Sequence, residues 1–148
     1  MNNIKTFENF NNKDIFTYIE NNDIKSVENY INSGADLNKQ DDDSYTVLMY
    51  AIIYDKYEIF ELLLDCGADV NKQNIYGNTA LILATSKNNI EMVKLLVNAG
   101  ADTNKQSNNG NTALICAALY NNSEMVKLLL STGADINKQN NDGDSALI

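Results

Sequence analysis

The chain has 148 residues, enough for one domain that buries a real core, and a 44% hydrophobic content fits a folded chain. It contains no His, Arg, Pro or Trp and only two Cys, which excludes a histidine base, a Cys/His zinc site and an arginine clamp on phosphate. Eleven Lys against 20 Asp and Glu give a net charge of −9, which opposes nucleic acid and anionic membrane; it reads first as a solubilising surface and is compatible with a protein partner with a basic surface.

The predicted elements repeat with one frame along the chain. Residues 1–11 read as a flexible N-terminal segment without an apolar signal region. An N-terminal capping repeat follows over 12–37, with two apolar stretches, Asp14 to Glu20 and Ile24 to Ile31. Three full repeats occupy 38–70, 71–103 and 104–136, and a truncated one runs over 137–148. The triplet Gly-Ala-Asp begins at Gly34, Gly67, Gly100 and Gly133, always 33 residues apart. Thr46, Thr79, Thr112 and Ser145 keep the same period, as do Asn38, Asn71, Asn104 and Asn137 at the head of Asn-Lys-Gln.

Each unit reads as helix, turn, helix and projecting loop. Thr79 and Thr112 suit the N-cap of a first helix, where a hydroxyl accepts an orphan backbone N–H. Asn88-Asn89 and Asn121-Asn122 read as polar corners between the two helices. A second helix places Ile90, Val93, Leu96 and Val97 on one face. Glu91 and Glu124 favour its N-terminal end and pair with Lys94 and Lys127. Gly100 and Gly133 end the helix, and Asn109-Gly110 and Asp142-Gly143 mark tight turns. Tyr30 and Tyr57 fall on core slots of the second helices. A single unit cannot bury its own apolar faces, so units must stack.

Period, triplet and helix frame together resemble the ankyrin repeat over residues 12–148. The family's Thr-Pro-Leu-His opener stands here as Thr-Val-Leu-Met from Thr46 and as Thr-Ala-Leu-Ile from Thr79 and Thr112. The missing His is expected to be replaced by packing of Met49, Ile82 and Ile115. The resemblance implies an all-α fold, an ankyrin-repeat solenoid of stacked helix-turn-helix units with projecting hairpin loops. It implies a noncatalytic protein–protein interaction module. The lack of an apolar signal region, of a membrane-length apolar run and of a disulfide framework makes a cytoplasmic location the expectation; export by a specialised route would leave the same pattern.

No residue pattern calls for a cofactor, metal or catalytic role. Asp41-Asp42-Asp43 and the Asn140–Asp144 loop lack the calcium-loop spacing and read as polar tips. Cys116 reads as a small core residue, and Lys39, Lys72, Lys105 and Lys138 read as a stripe neutralised by Asp36, Asp69, Asp102 and Asp135. The 25 Asn read as AT-rich coding rather than as a prion-like tract.

Ankyrin-like proteins commonly meet partners with hairpin tips and first-helix ends. Carried onto this sequence, the tips supply Asp42, Asp43, Tyr45, Ile75, Tyr76, Asn78, Asn108, Asn109 and Asn111, then Asn141, Asp142 and Asp144. The helix ends supply Ile53, Tyr54, Ser86, Lys87, Leu119 and Tyr120. Tyr45, Tyr54, Tyr76, Tyr120, Ile53, Ile75 and Leu119 are expected to be exposed, as at an interface centre. The last repeat lacks a second helix, which predicts an apolar end and end-to-end self-association. The competing reading is a structural spacer or targeting fragment of a longer ankyrin array whose function lies outside this chain.

Overall fold

The computed structural model describes residues 14–147; residue 148 and residues 1–13, including the 1–11 segment expected to be flexible, lie outside the described residues. Among the described residues eight helices form: α1 Ile15–Glu20, α2 Ile24–Asn32, α3 Val47–Ile53, α4 Tyr57–Asp65, α5 Ala80–Ser86, α6 Ile90–Asn98, α7 Ala113–Leu119 and α8 Ser123–Ser131. Consecutive helices pair, and the first helices α1, α3, α5 and α7 stack in turn. The result is an all-α solenoid, and among the described residues the β pairing is limited to the isolated bridge Gln40–Thr46.

The local chemistry explains the starts of α3, α5 and α7. Thr46, Thr79 and Thr112 are buried, and each hydroxyl accepts the N–H three residues on at 3.2 Å. Capping is local, so the short first helices form without the missing Pro. Met49, Ile82 and Ile115 are buried where the family carries His. The Met49 sulfur also accepts the Thr46 N–H at 3.5 Å, a weak substitute for an imidazole contact.

The corner doublets divide two tasks. Asp55, Asn88 and Asn121 take φ of 54°, 59° and 54°, as their position after the helix demands. After Asn88 and Asn121 the next residue caps the second helix: Asn89 accepts from Met92 N–H at 3.1 Å and Asn122 from Met125 N–H at 2.9 Å, whereas Lys56 makes no such bond. Asn122 also donates its side-chain amide to Asn88, joining neighbouring corners.

Fully buried columns fill the interior. Leu48, Leu81 and Leu114 lie in the first helices; Ile59, Met92 and Met125, with Leu63, Leu96 and Leu129, lie in the second. Cys116 is buried with them, and burial pushes its thiol pKa up. Tyr57 departs from its expected core slot and is 42% exposed. It opens α4 at the rim of the packed face, where a phenol exceeds the space offered to Ile24 and Ile90. Tyr30 remains partly buried and donates its hydroxyl to the Asp36 carbonyl at 2.9 Å.

The Asn-Lys-Gln triplets have a structural role that composition alone did not reveal. Asn71 accepts the Asp102 N–H at 2.7 Å and donates to the Gly100 carbonyl at 3.1 Å. Asn104 repeats both bonds toward Asp135 and Gly133, at 2.7 and 3.1 Å. Gln73 donates to the carbonyls of Gly77 and Gln106 at 2.7 and 3.0 Å, and Gln106 to those of Gly110 and Gln139 at 2.7 and 2.9 Å. These side chains staple one loop to the next and satisfy backbone groups that irregular loops leave open. At these positions the Asn excess is architecture and not merely coding bias.

Along the Lys–Asp stripe no direct ion pair forms among the described residues. Asp36, Asp69, Asp102 and Asp135 instead accept the N–H two residues on, at 2.8 to 2.9 Å. A short Asp side chain reaches its own backbone more readily than a flexible Lys three positions away. Two ion pairs exist among the described residues, Lys94–Glu91 at 2.9 Å and Lys87–Asp55 at 2.8 Å; Glu124 and Lys127 do not form one.

Candidate interaction surface

The loops project beside the first helices and are held to one another. Ile75 N–H donates to the Asp43 carbonyl at 3.0 Å, Asn108 N–H to Tyr76 at 2.9 Å, and Asn141 N–H to Asn109 at 2.9 Å. One hydrogen-bonded line of tips therefore runs along the stack. A surface built this way loses little backbone freedom when it is covered.

Of the residues expected there, Asp42, Asp43, Tyr54, Ile75, Tyr76, Ser86, Lys87, Asn108, Asn109, Leu119, Tyr120, Asn141 and Asp142 are exposed. Asn78, Asn111 and Asp144 are half-buried. Tyr45 and Ile53, expected to be exposed, are half-buried as well. Tyr45 leans edge-on against Tyr50, ring centroids 6.3 Å apart. Ile53 lies beside Lys87, whose ammonium donates to the Ile53 carbonyl at 2.6 Å as well as to Asp55. Lys87 thus serves the joint between two helix ends. Asn108 is similarly engaged, its amide donating to the Ile75 carbonyl at 2.8 Å.

Tyr50 is the residue the sequence reading missed. It lies in the middle of α3, half-buried, and connects the tip to the helix end. Its ring is 4.5 Å from Phe16 and 5.8 Å from Tyr54, centroid to centroid. Its hydroxyl donates to Asp41 Oδ2 at 2.7 Å, while Asp41 Oδ1 accepts the N–H groups of Asp43 and Tyr45 at 3.0 and 2.8 Å. The available signal was its register: Leu83 and Cys116 hold the same slot, so a Tyr there must carry its hydroxyl to the loop.

The electrostatics follow. Burial first, then the hydrogen bond to Asp41, raise the Tyr50 pKa far above the ordinary phenol value. Tyr45 is raised by burial and by Tyr76, Asp43 and Asp41, with Asn74 opposing. Tyr54 is raised first by hydrogen bonding with the Glu20 carboxylate. A native phenol with a raised pKa contributes stability that is present below about pH 10 and is lost as pH rises toward its folded pKa. Tyr50→Phe is therefore expected to cost about 1 kcal/mol near neutral pH through the lost hydrogen bond. Urea unfolding at increasing pH should show that gap shrink above about pH 10, because only the parent chain still has this phenol to ionise.

No helix among the described residues is long and apolar enough to cross a membrane. Two family models match the chain: one described as ankyrin repeats in three copies over residues 15–107, the other as ankyrin repeats in many copies over residues 86–130. No curated protein sequence matches it. Ankyrin repeats serve in general as protein–protein interaction modules. With the stacked helix pairs, capped openers and linked loops already described, the matches establish that the chain belongs to the ankyrin repeat family.

Proposed function

We propose that the chain is a noncatalytic recognition module that binds a partner protein through its hairpin tips and first-helix ends. The observation that carries this reading is where large apolar groups meet solvent. Of the eight exposed large hydrophobic residues among those described, five belong to this one face: Tyr54, Ile75, Tyr76, Leu119 and Tyr120, exposed from 43% to 61%. Apolar and aromatic surface gathered on one side of a folded chain marks a binding face. Asp42 and Asp43 give it an acidic margin that suits a basic partner.

The test is a paired pull-down from cell lysate with the parent chain and a Tyr54→Ala, Tyr76→Ala, Tyr120→Ala variant. Circular dichroism establishes that both baits are folded. Tyr45 is left intact because it is half-buried, whereas the three replaced rings are exposed. A partner held by the parent and lost by the variant is the expected outcome. No partner, or the same partners with both baits, would favour the spacer reading, with recognition residing elsewhere in a longer array.

A further inference from the structure

The tip face is not uniform along the stack. At its N-terminal end, Tyr45, Tyr50 and Tyr54 form one continuous aromatic strip backed by buried Phe16. Carboxylates border the strip at each step. Asp41 holds the Tyr50 hydroxyl, Asp43 is two residues from Tyr45, and Glu20 ends α1, which packs beside α3, the helix that Tyr54 closes. Glu20, Asp42, Asp43 and the Tyr54 ring are all exposed. Lys87, the cation at the adjoining helix end, is already engaged with Asp55 and the Ile53 carbonyl.

This combination restricts what can cover the strip. A purely apolar partner would strip water from Glu20 and Asp43 and leave their charges unpaired, which is costly. An anionic partner is repelled. A planar cation satisfies both requirements, because it can lie on an aromatic face and direct N–H groups to carboxylates. Resting on the recognition reading above, we propose that the Tyr50–Tyr54 strip receives an arginine side chain of a basic partner segment, its guanidinium over the Tyr54 ring and paired with Glu20. A lysine ammonium would meet the charge but not the stacking geometry and binds less well.

The probe is a short alanine–serine peptide carrying two arginines, compared with the same peptide carrying lysines or glutamines, titrated into the isotope-labelled whole chain and followed by amide NMR shifts. The arginine peptide should move Glu20, Tyr50, Tyr54 and Asp43, the lysine peptide should move them less, and the glutamine peptide should leave them in place. Added salt should weaken the effect. Tyr54→Leu keeps apolar area but removes the aromatic face, and should weaken arginine-peptide binding about 2- to 5-fold. Tyr54→Phe should retain it, while Glu20→Gln should weaken it.

Equal shifts from the glutamine peptide would overturn the proposal, as would arginine shifts spread evenly over distant acids such as Glu61 and Glu124. Absence of any shift at Tyr54 would overturn it too. A pull-down partner whose contacts fall only on Tyr76, Leu119 and Tyr120 would overturn this arginine site while leaving the recognition reading intact. Specific arginine-peptide shifts beside a pull-down that finds no tyrosine-dependent partner would uphold the site and count against the recognition reading.

Discussion

Replacing Gly77 by Ala is expected to destabilise the chain by about 2–4 kcal/mol, from backbone strain and overpacking together. Gly77 has φ of 74°, a conformation that costs an L-residue about 1–2 kcal/mol. The second contribution comes from the neighbouring repeat. A Cβ on Gly77 would stand 2.6 Å from the Asn108 backbone nitrogen and 3.0 Å from the Ser107 carbonyl carbon. Neither atom can retreat freely, because Asn108 N–H is bonded to the Tyr76 carbonyl at 2.9 Å. Gly110 should behave alike, since its added Cβ would lie 2.8 Å from Asn140 Cα and 2.9 Å from Asn141 N. Gly143 separates the two causes: its φ is 85°, but nothing lies within 4 Å of an added Cβ. Gly143→Ala should therefore cost only the conformational part, about 1–2 kcal/mol. Urea unfolding of the three variants measures this, and equal losses at all three sites would mean that close approach between loops contributes nothing.

The same loop position shows what the sequence could and could not convey. Ser44 stands in register with Gly77, Gly110 and Gly143 and takes φ of 63° despite its side chain. Glycine placement and Thr caps were legible because each answers a demand of its own local backbone. The fold followed from them, since repeated amphipathic pairs have little choice but to stack. Side-chain bonds across about one repeat were not legible. Asn71 reaching Asp102 and Gln73 reaching Gln106 depend on the stacking distance between loops, which no window of sequence contains.

The candidate surface was legible to the extent that its residues sit at loop tips and helix ends. Register gave Tyr54, Tyr76 and Tyr120 their exposed slots. It did not give Tyr45 its place, because whether a tip side chain faces outward depends on what stands beside it. Tyr50 is that neighbour, and its inward slot conceals a polar end bound to Asp41. An aromatic strip backed by Phe16, with a carboxylate at the Tyr50 hydroxyl, is thus a property of three slots in one repeat and one in the repeat before, visible only once they are stacked.

Helix periodicity likewise gives a face but not a depth, and α4 shows the difference in both directions. Tyr57 falls on the inner face and is exposed; Phe60, one turn later, is fully buried with the Tyr57 ring 6.5 Å away. The equivalent residues of the other second helices are Val27, Val93 and Val126. Substituting the majority residue is commonly stabilising. Here Phe60→Val is expected to destabilise by about 2–3 kcal/mol, because it empties the space of a fully buried ring. Val at Phe60 has nothing with which to fill that space: Val27, Ile59 and Leu63 are themselves fully buried, and a close-packed interior relaxes only partly around a deletion. Tyr57→Ala, at the exposed rim, should change stability far less. Chemical unfolding followed by circular dichroism gives both values. A Phe60→Val chain as stable as the parent would mean that the layers close over the vacancy, and that the solenoid tolerates variation in repeat spacing more readily than its linked loops indicate.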